Sequence, residues 1–372
     1  MHKSSGKNLF ITLEFPPQIG GVGRMYYKLI NEAPKKFTIW APDNSMKIDQ
    51  AEIINLPQLA SHGWPRWRTM LANLNKILRR ETFDSIIIGQ ILPIGLPIWL
   101  MSWFYNYRYT VIIHGLDLAS PLEIFRKKLM IKLILRRAYK IIAANKNVAA
   151  LAISSGVSST KISVLYPKPT ITSEVYPISR AEARAGLGLN NSIVVLTVAR
   201  IVERKGHLVL FKAMASVWQK YPETVWVIIG DGPFMPELKK NSLSSKNANK
   251  IKILGELSDA ETARWYAAAD VFALTSHALP MGDIEGLGIV FLEAATFGLA
   301  MVASQTGAIP EFINNEKNGL LVKENGPDET ALALCRLIAS PTLKNALGEQ
   351  ARKDVQRLIN ESSINKLVDQ ND

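Results

Sequence analysis

Short, continuous apolar runs recur along this chain, and each is followed by a turn and a helical pattern. In the first half they are Leu9-Phe10-Ile11-Thr12-Leu13, Phe37-Thr38-Ile39-Trp40, Ile53-Ile54-Asn55-Leu56, Ser85-Ile86-Ile87-Ile88 and Thr110-Val111-Ile112-Ile113. A strand with one solvated face alternates apolar and polar residues. These runs do not alternate, so they read as strands buried on both faces, as in a parallel sheet. Helical patterning follows the first of them, from about Met25 to Ile30. A Pro-containing, weakly patterned stretch from Pro167 to about Asn191 reads as a linker leading into a second domain. The alternation then restarts with strands expected at Ile193–Val198, Val225–Ile229, Ile251–Leu254, Val271–Leu274 and Ala300–Ala303, and a helix over about Asp259–Ala268. Two such blocks give an α/β chain of two doubly wound, Rossmann-like domains, and 372 residues are enough to build both. The expected domains are 1–170 and 171–353. Ligands of such sheets bind beyond the carboxyl ends of the strands, so chemistry is expected in strand-end loops.

The remaining composition narrows the class. Apolar residues are 48% and charged residues 20%, as in ordinary globular proteins. The single cysteine, Cys335, allows no disulfide framework within the chain. It lies in the amphipathic stretch Ala331–Ile338 and is expected as a buried structural thiol. Met1 to Lys7 is polar and the apolar run after it is short, so no signal peptide is expected there. The most apolar stretch, Ile91 to Tyr105, is broken by Pro93 and Pro97 and falls short of the roughly 20 residues a spanning helix needs. It reads as a buried helix, with a surface dipping into a membrane interface as the alternative.

Charge is unevenly distributed. Residues 1–170 hold 23 Lys and Arg against 9 Asp and Glu, a net +14, within a total of +12. The excess positive charge sits in the first half and favours a polyanionic partner, either nucleic acid or an anionic lipid surface. Arg126, Lys127, Lys128, Lys132, Arg136, Arg137, Lys140 and Lys146 fall in residues 124–146 without one acid. Lys128, Lys132, Arg136 and Lys140 make an i, i+4 stripe among Ile124, Phe125, Leu129, Ile131, Leu133, Ile134 and Leu135. That is a basic amphipathic helix suited to an anionic membrane, or equally a surface helix packed on a sheet. Trp64 and Trp67, beside Arg66 and Arg68, add interface-preferring indoles.

Four motifs carry candidate chemistry. In Gly282-Asp283-Ile284-Glu285-Gly286-Leu287-Gly288-Ile289-Val290-Phe291-Leu292-Glu293-Ala294, one glutamate lies in a Gly-rich loop and the other about two turns into a helix expected from Leu287. Free amides at that helix start suit a diphosphate, and the carboxylates suit sugar hydroxyls. An ordinary helix start with an acid near its dipole is the plain alternative. Ala199-Arg200-Ile201-Val202-Glu203-Arg204-Lys205-Gly206-His207 follows a strand, where Arg and Lys can reach phosphate oxygens. It reads otherwise as a solvated charge run. Phe15-Pro16-Pro17-Gln18-Ile19-Gly20-Gly21-Val22-Gly23 is either a loop that admits a ligand close to the backbone or a tight turn. It is not the dinucleotide fingerprint. His114-Gly115 ends an apolar strand. A lone His there is structural or functional.

Together these motifs resemble the retaining GT-B glycosyltransferases of family 4, over nearly the whole chain and in the right order. The wording of the Gly20-Gly21 and Glu285 to Glu293 segments is similar to the bacterial phosphatidylinositol mannosyltransferases of that family. Ala267-Ala268-Ala269-Asp270-Val271-Phe272 and Gly307-Ala308-Ile309-Pro310-Glu311 fit it too. The resemblance implies two Rossmann-like domains facing across a cleft, with the last helix, about 354–372, crossing back to the first domain. Arg200 and Lys205 would hold the donor diphosphate. Glu285 would bind the transferred sugar and His114 would sit beside it. Gly20, Gly21, Gly230, Gly286, Leu287, Gly288 and Ile289 would line the donor site, Glu293 would bind the ribose, and Leu257 would lie near the base. The implied donor is a GDP- or UDP-linked hexose, mannose among the candidates. No further cofactor and no divalent metal would be required. The implied acceptor is a glycolipid or polysaccharide precursor, met by an enzyme held peripherally at the cytoplasmic face of the membrane. The chain departs from close relatives at His114-Gly115-Leu116-Asp117, where His-Gly-His-Glu is common, and at Gly307-Ala308-Ile309-Pro310.

Other readings compete. One is another GT-B enzyme, such as a nucleotide-sugar epimerase, which the glutamate pair disfavours, or a phosphorylase, for which no cofactor lysine stands out. Another is a nucleic-acid-binding α/β protein using the basic half, although no binding motif is recognisable. An inactive paralogue is a third, disfavoured by the full set of donor motifs.

Overall fold

The computed structural model describes residues 7–16, 21–33, 37–42, 51–56, 67–115, 125–189, 191–279 and 285–362. Contacts divide the chain after Pro167 into two compact units, the second being Lys168–Glu361.

The first unit is a seven-stranded parallel sheet. Its strands are β1 (Asn8–Ile11), β2 (Phe37–Pro42), β3 (Ala51–Leu56), β4 (Ser85–Ile88), β5 (Arg108–Ile113), β6 (Lys140–Ala143) and β7 (Ile162–Val164). They lie in the order β3-β2-β1-β4-β5-β6-β7. The helices are α1 (Gly21–Asn31), α2 (Trp67–Arg80), α3 (Gly95–Met101), α4 (Phe125–Arg137) and α5 (Lys146–Ser154). Alternate strand residues enter two different cores. Leu9, Ile11, Ile86, Ile88, Val111 and Ile113 pack with Met70, Ile98, Ile131, Ile134 and Val148 from α2 to α5. Phe10, Ile39, Ile87, Ile112 and Ile142 pack with Tyr26, Leu29 and Ile30 of α1. Both faces are dry, which is why the sequence shows no alternation.

The second unit repeats the plan with six strands in the order β10-β9-β8-β11-β12-β13. These are β8 (Ile193–Val198), β9 (Thr224–Ile229), β10 (Ile251–Ile253), β11 (Val271–Leu274), β12 (Ala300–Ser304) and β13 (Leu320–Val322). Its helices are α6 (Arg180–Gly186), α7 (His207–Lys220), α8 (Met235–Leu243), α9 (Asp259–Ala268), α10 (Ile289–Thr296), α11 (Pro327–Ala339) and α12 (Pro341–Glu361). Capping boxes start α6 and α9: Ser179 with Glu182, and Ser258 with Glu261. In each sheet the strand order reverses direction beside the unit's first strand, at β1/β4 and at β8/β11. That is the switch point where such folds bind ligands.

Several sequence expectations need correction. Lys140 does not extend the basic helical stripe. The helix ends at Arg137 and Lys140 opens β6. The sheets also hold β6 and the short β7 and β13, which the apolar runs do not mark, and the expected linker 167–191 contains α6. Helix α10 starts at Ile289, not Leu287, so Glu293 stands just over one turn into it. Of the apolar stretch 91–105, only Gly95–Met101 is α-helix, and its end is not buried: Trp103 is 63% and Phe104 82% exposed. Cys335 is half-buried, with burial raising its thiol pKa. Helix α12 continues to Glu361 with Val355 buried. The rest of the expected crossing segment, 363–372, lies outside the described residues. Among the described residues no helix is long and apolar enough to cross a membrane.

Asp270, at the turn into β11, ties the second unit together. It accepts from the Val194 amide of β8 at 2.9 Å, from Arg180 of α6 at 2.8 Å and from Lys344 of α12 at 3.0 Å. Burial would raise its pKa, but the Val194 amide, Arg180 and Lys344 outweigh that and hold it below the ordinary 3.8. Removing one partner leaves others buried and unmatched. Asp270→Ala should lower the unfolding free energy by about 2 kcal/mol. A depressed carboxyl stabilises above its unfolded pKa. The gap between wild type and variant in urea melts should therefore narrow as pH falls below 3.8.

Candidate functional site

In the second unit the loop after β8 folds back over the sheet. Arg200 leaves the strand exposed. A 3₁₀ turn, Glu203–Lys205, follows and ends at Gly206, which is left-handed at φ 68°. A Cβ at Gly206 would stand 1.9 Å from the Thr275 carbonyl oxygen, so this crossing of two strand-end loops admits glycine only. The crossing places Arg204 and Lys205 against the motif that carries Glu285.

There Glu285 is buried, and its Oε2 collects three donors. Lys205 Nζ is at 2.6 Å, Arg204 Nη1 at 2.8 Å and Ser276 Oγ at 3.2 Å. Glu285 Oε1 takes no hydrogen bond from any described residue. Burial would raise the Glu285 pKa, and the Lys205 and Arg204 charges bring it below the ordinary value. The Ala308 amide donates to the Glu285 carbonyl at 3.3 Å, joining Gly307-Ala308 to the same centre. After Glu285, Gly286 is half-buried, Leu287 is buried and Gly288 turns left-handed at φ 74°. The N-cap, Gly288, has no side chain to cap α10, and the Phe291 amide bonds back to the Gly288 carbonyl at 2.9 Å, so only the earlier amides could meet an anion.

Glu293 is also buried but differently engaged. Its Oε1 accepts from Thr170 Oγ1 at 3.0 Å and the Ile171 amide at 3.2 Å, and its Oε2 accepts from Tyr266 Oη at 3.1 Å. Burial raises its pKa, and the Ile171 and Thr170 bonds only partly offset that. A carboxylate has about four lone-pair sites, so Oε2 keeps one that Tyr266 does not use. Gly230 ends β9, with its amide on the Gly255 carbonyl at 2.7 Å, and Leu257 is half-buried just before the α9 cap. Among the described residues no group of three His, Cys, Asp or Glu side chains could hold a metal.

In the first unit His114 ends β5. Tyr26 Oη lies 2.5 Å from both the Gly89 carbonyl oxygen and His114 Nε2. The carbonyl can only accept, so the single phenol hydrogen goes to Gly89 and Nε2–H of His114 donates to Tyr26. Burial lowers the His114 pKa to about 4, so the ring is neutral at physiological pH. Gly21 opens α1, while Gly20 and Trp64 lie outside the described residues. Trp67 is half-buried at the start of α2. Arg126, Lys127, Lys128, Lys132 and Arg136 are all exposed on α4.

The structure thus groups Lys205 with Glu285, sets Glu293 one helical turn further along, and leaves Arg200 at the rim. Arg204, Ser276, Thr170, Tyr266 and Tyr26 were not singled out from the sequence. Arg204 lay inside the quoted basic loop, but only the loop's path distinguishes it from Arg200. The other four carried no motif signal.

Comparison with known proteins places this architecture. Residues 19–167 match the model described as Glycosyltransferase Family 4, and residues 179–354 match Glycosyl transferases group 1. The chain therefore belongs to the family 4 glycosyltransferases of GT-B fold. It is 26% identical over 364 residues to the GDP-mannose-dependent alpha-(1-6)-phosphatidylinositol monomannoside mannosyltransferase of Mycobacterium tuberculosis, covering 93% of this chain and 92% of that protein. It is 26% identical to the monoacylated-substrate mannosyltransferase of Corynebacterium glutamicum, covering 95% and 94%. The solved Anabaena HepE in complex with UDP superposes with a TM-score of 0.77 at 20% identity, covering 97% of this chain and 98% of that one.

Breaking the Glu285 cluster should be costly, because Lys205 is left buried and unpaired. Glu285→Ala should lower stability by about 3 kcal/mol, and the double variant Lys205→Met/Glu285→Leu should recover most of it. The loss is read in urea melts above pH 4.5 and should shrink as pH falls through the depressed carboxyl pKa.

Proposed function

We propose that this glycosyltransferase moves a hexose, mannose from GDP-mannose in the first instance, to a lipid-linked or polysaccharide-precursor acceptor. The observation that carries this is Glu285, fixed through Oε2 by Lys205 and Arg204 with Oε1 unbonded by any described residue, one residue before a glycine-rich helix start. Oε1 would accept a sugar hydroxyl. The amides of Leu287, Gly288 and Ile289, with Gly286 giving backbone access, would receive the diphosphate. Arg200, Lys205 and those amides would stabilise the charge that develops on the departing nucleotide, without a bound metal. Glu293 Oε2 would bind the ribose beside Tyr266, and Leu257 and Gly230 would border the base. His114, neutral and oriented by Tyr26, would face the transferred sugar, with Gly20 and Gly21 shaping the phosphate and acceptor side. Anomeric configuration would be retained by front-face attack of the acceptor. The names of the Mycobacterium and Corynebacterium relatives favour GDP-mannose and a phosphatidylinositol monomannoside acceptor, while the UDP-bound HepE keeps UDP-sugars in view. With a glycolipid acceptor and a nucleotide-sugar donor the enzyme would work at the cytoplasmic face of the membrane, where the basic α4 would meet anionic lipid and not nucleic acid.

A thermal-shift series with GDP, UDP, ADP and their sugar conjugates tests the donor site. A ligand at 100 times its dissociation constant adds about 2.7 kcal/mol of stability. One nucleotide family should shift the wild type, and Glu293→Ala and Lys205→Ala should each lose the shift. No shift with any nucleotide would remove the donor assignment. Transfer should also persist at full rate after EDTA treatment, and a metal-dependent rate would overturn the metal-free mechanism.

A further inference from the structure

The first unit displays large apolar side chains in water at the end of the apolar stretch 91–105, for which the sequence offers a membrane-dipping surface as the alternative to a buried helix. Trp103 is 63% and Phe104 82% exposed in the turn between α3 and β5. The turn is firmly held. Tyr105 Oη donates to Asn75 at 2.5 Å, and Tyr107 Oη to the Ile98 carbonyl at 2.6 Å. Arg137, the last residue of α4, donates to Ser102 Oγ at 2.6 Å and to the Ser102 carbonyl at 2.8 Å. Its guanidinium stacks 4.0 Å over the Trp103 ring. Trp103 also meets the Trp99 ring edge-on at 6.5 Å, so it is held in place while most of its surface, and nearly all of Phe104, stays in water. Fixed, exposed apolar groups mark an interaction surface.

The arginine joins this pair to α4. Leu129, Leu133 and Arg137 follow one another at i, i+4, i+8, so they form one ridge. Leu129 is 50% and Leu133 39% exposed, whereas Ile131, Ile134 and Leu135 on the opposite side are in the core. Lys128, Lys132 and Arg136 line one flank of the ridge, and Arg126 lies on the other. The helix holds six cations and no acid.

We propose that Trp103, Phe104, Leu129 and Leu133 form a wedge that enters the interface of an anionic lipid bilayer, with the α4 cations on the headgroups around it. This deepens the membrane reading above, on which it rests, by naming the inserting residues. Charge complementarity selects the occupant. Six cations with no acid oppose a second copy of the same surface and match an anionic leaflet. An indole at the rim of an apolar ridge, in contact with an arginine, suits the headgroup boundary.

The test is co-sedimentation of the full chain with vesicles of phosphatidylcholine alone and of phosphatidylcholine with phosphatidylglycerol. Variants are Trp103→Ser/Phe104→Ser, Leu129→Ser/Leu133→Ser, and Lys128→Glu/Lys132→Glu/Arg136→Glu. Each is first shown by thermal melting to be folded. The wild type should bind the anionic vesicles preferentially, and each variant should lose at least ten-fold in partitioning, about 1.4 kcal/mol. Absence of wild-type binding overturns the proposal. So does loss in the charge variant alone, because the apolar wedge then plays no part. So does tighter, salt-sensitive binding to nucleic acid than to vesicles. A concentration-dependent dimer seen by light scattering without vesicle binding, and abolished by Trp103→Ser/Phe104→Ser, overturns it in favour of self-association. The nucleotide shift of the wild type, measured on the same preparation, keeps a failed donor site distinct from a failed membrane surface.

Discussion

Burial of both faces of each parallel sheet is the constraint from which the rest of the molecule follows. A parallel strand must be reached by a crossover, and the crossover helices cover the sheet. Strand residues of both parities are therefore apolar, and polar chemistry is pushed to the strand ends. The motif residues lie there: His114 after β5, the Arg200 to Gly206 loop after β8, Gly230 after β9 and Glu285 after β11. Loops at the carboxyl ends are free to vary because the sheet beneath them does not depend on their sequence.

The Glu285 cluster shows how such loops acquire rigidity. Two loops cross at Gly206, where backbone meets backbone with no room for a side chain. The crossing is possible only because Gly206 is left-handed, and it sets Arg204 and Lys205 on one carboxylate oxygen. The second oxygen takes no hydrogen bond from a described residue. An ion cluster buried to this degree adds little net stability when complete, but it fixes geometry and is costly when broken. It would serve a donor site by holding its dipoles in place before the substrate arrives. Glu293, by contrast, is held mainly by the start of the second unit at Thr170 and Ile171, so the helix that carries it is tied to the segment where the chain leaves the first unit.

Basic charge in the first unit takes on meaning only through shape. Composition gave an excess of cations and left lipid and nucleic acid both open. The fold sorts α4 into a buried side of Ile131, Ile134 and Leu135 and an outer side where cations surround Leu129 and Leu133. It also brings Trp103 under Arg137, 34 residues away in sequence.

The sequence alone determined the doubly wound class, ten of the thirteen described strands, and the segments that carry Lys205, Glu285 and Glu293. Continuous apolar runs and glycine-bearing strand ends are local signals, and parallel sheets write them plainly. What the sequence left open depended on neighbours distant in the chain. Lys140 read as helix because a cation every four residues looks the same whether or not the last one has passed into a strand. Arg204 and Arg200 are equivalent in a linear motif, and only the left-handed turn at Gly206 aims one of them at Glu285. Tyr26 orients His114 across 88 residues, and Tyr266 meets Glu293 across 27. Such pairings are set by which strand lies beside which, a property of the folded sheet that no window of sequence contains.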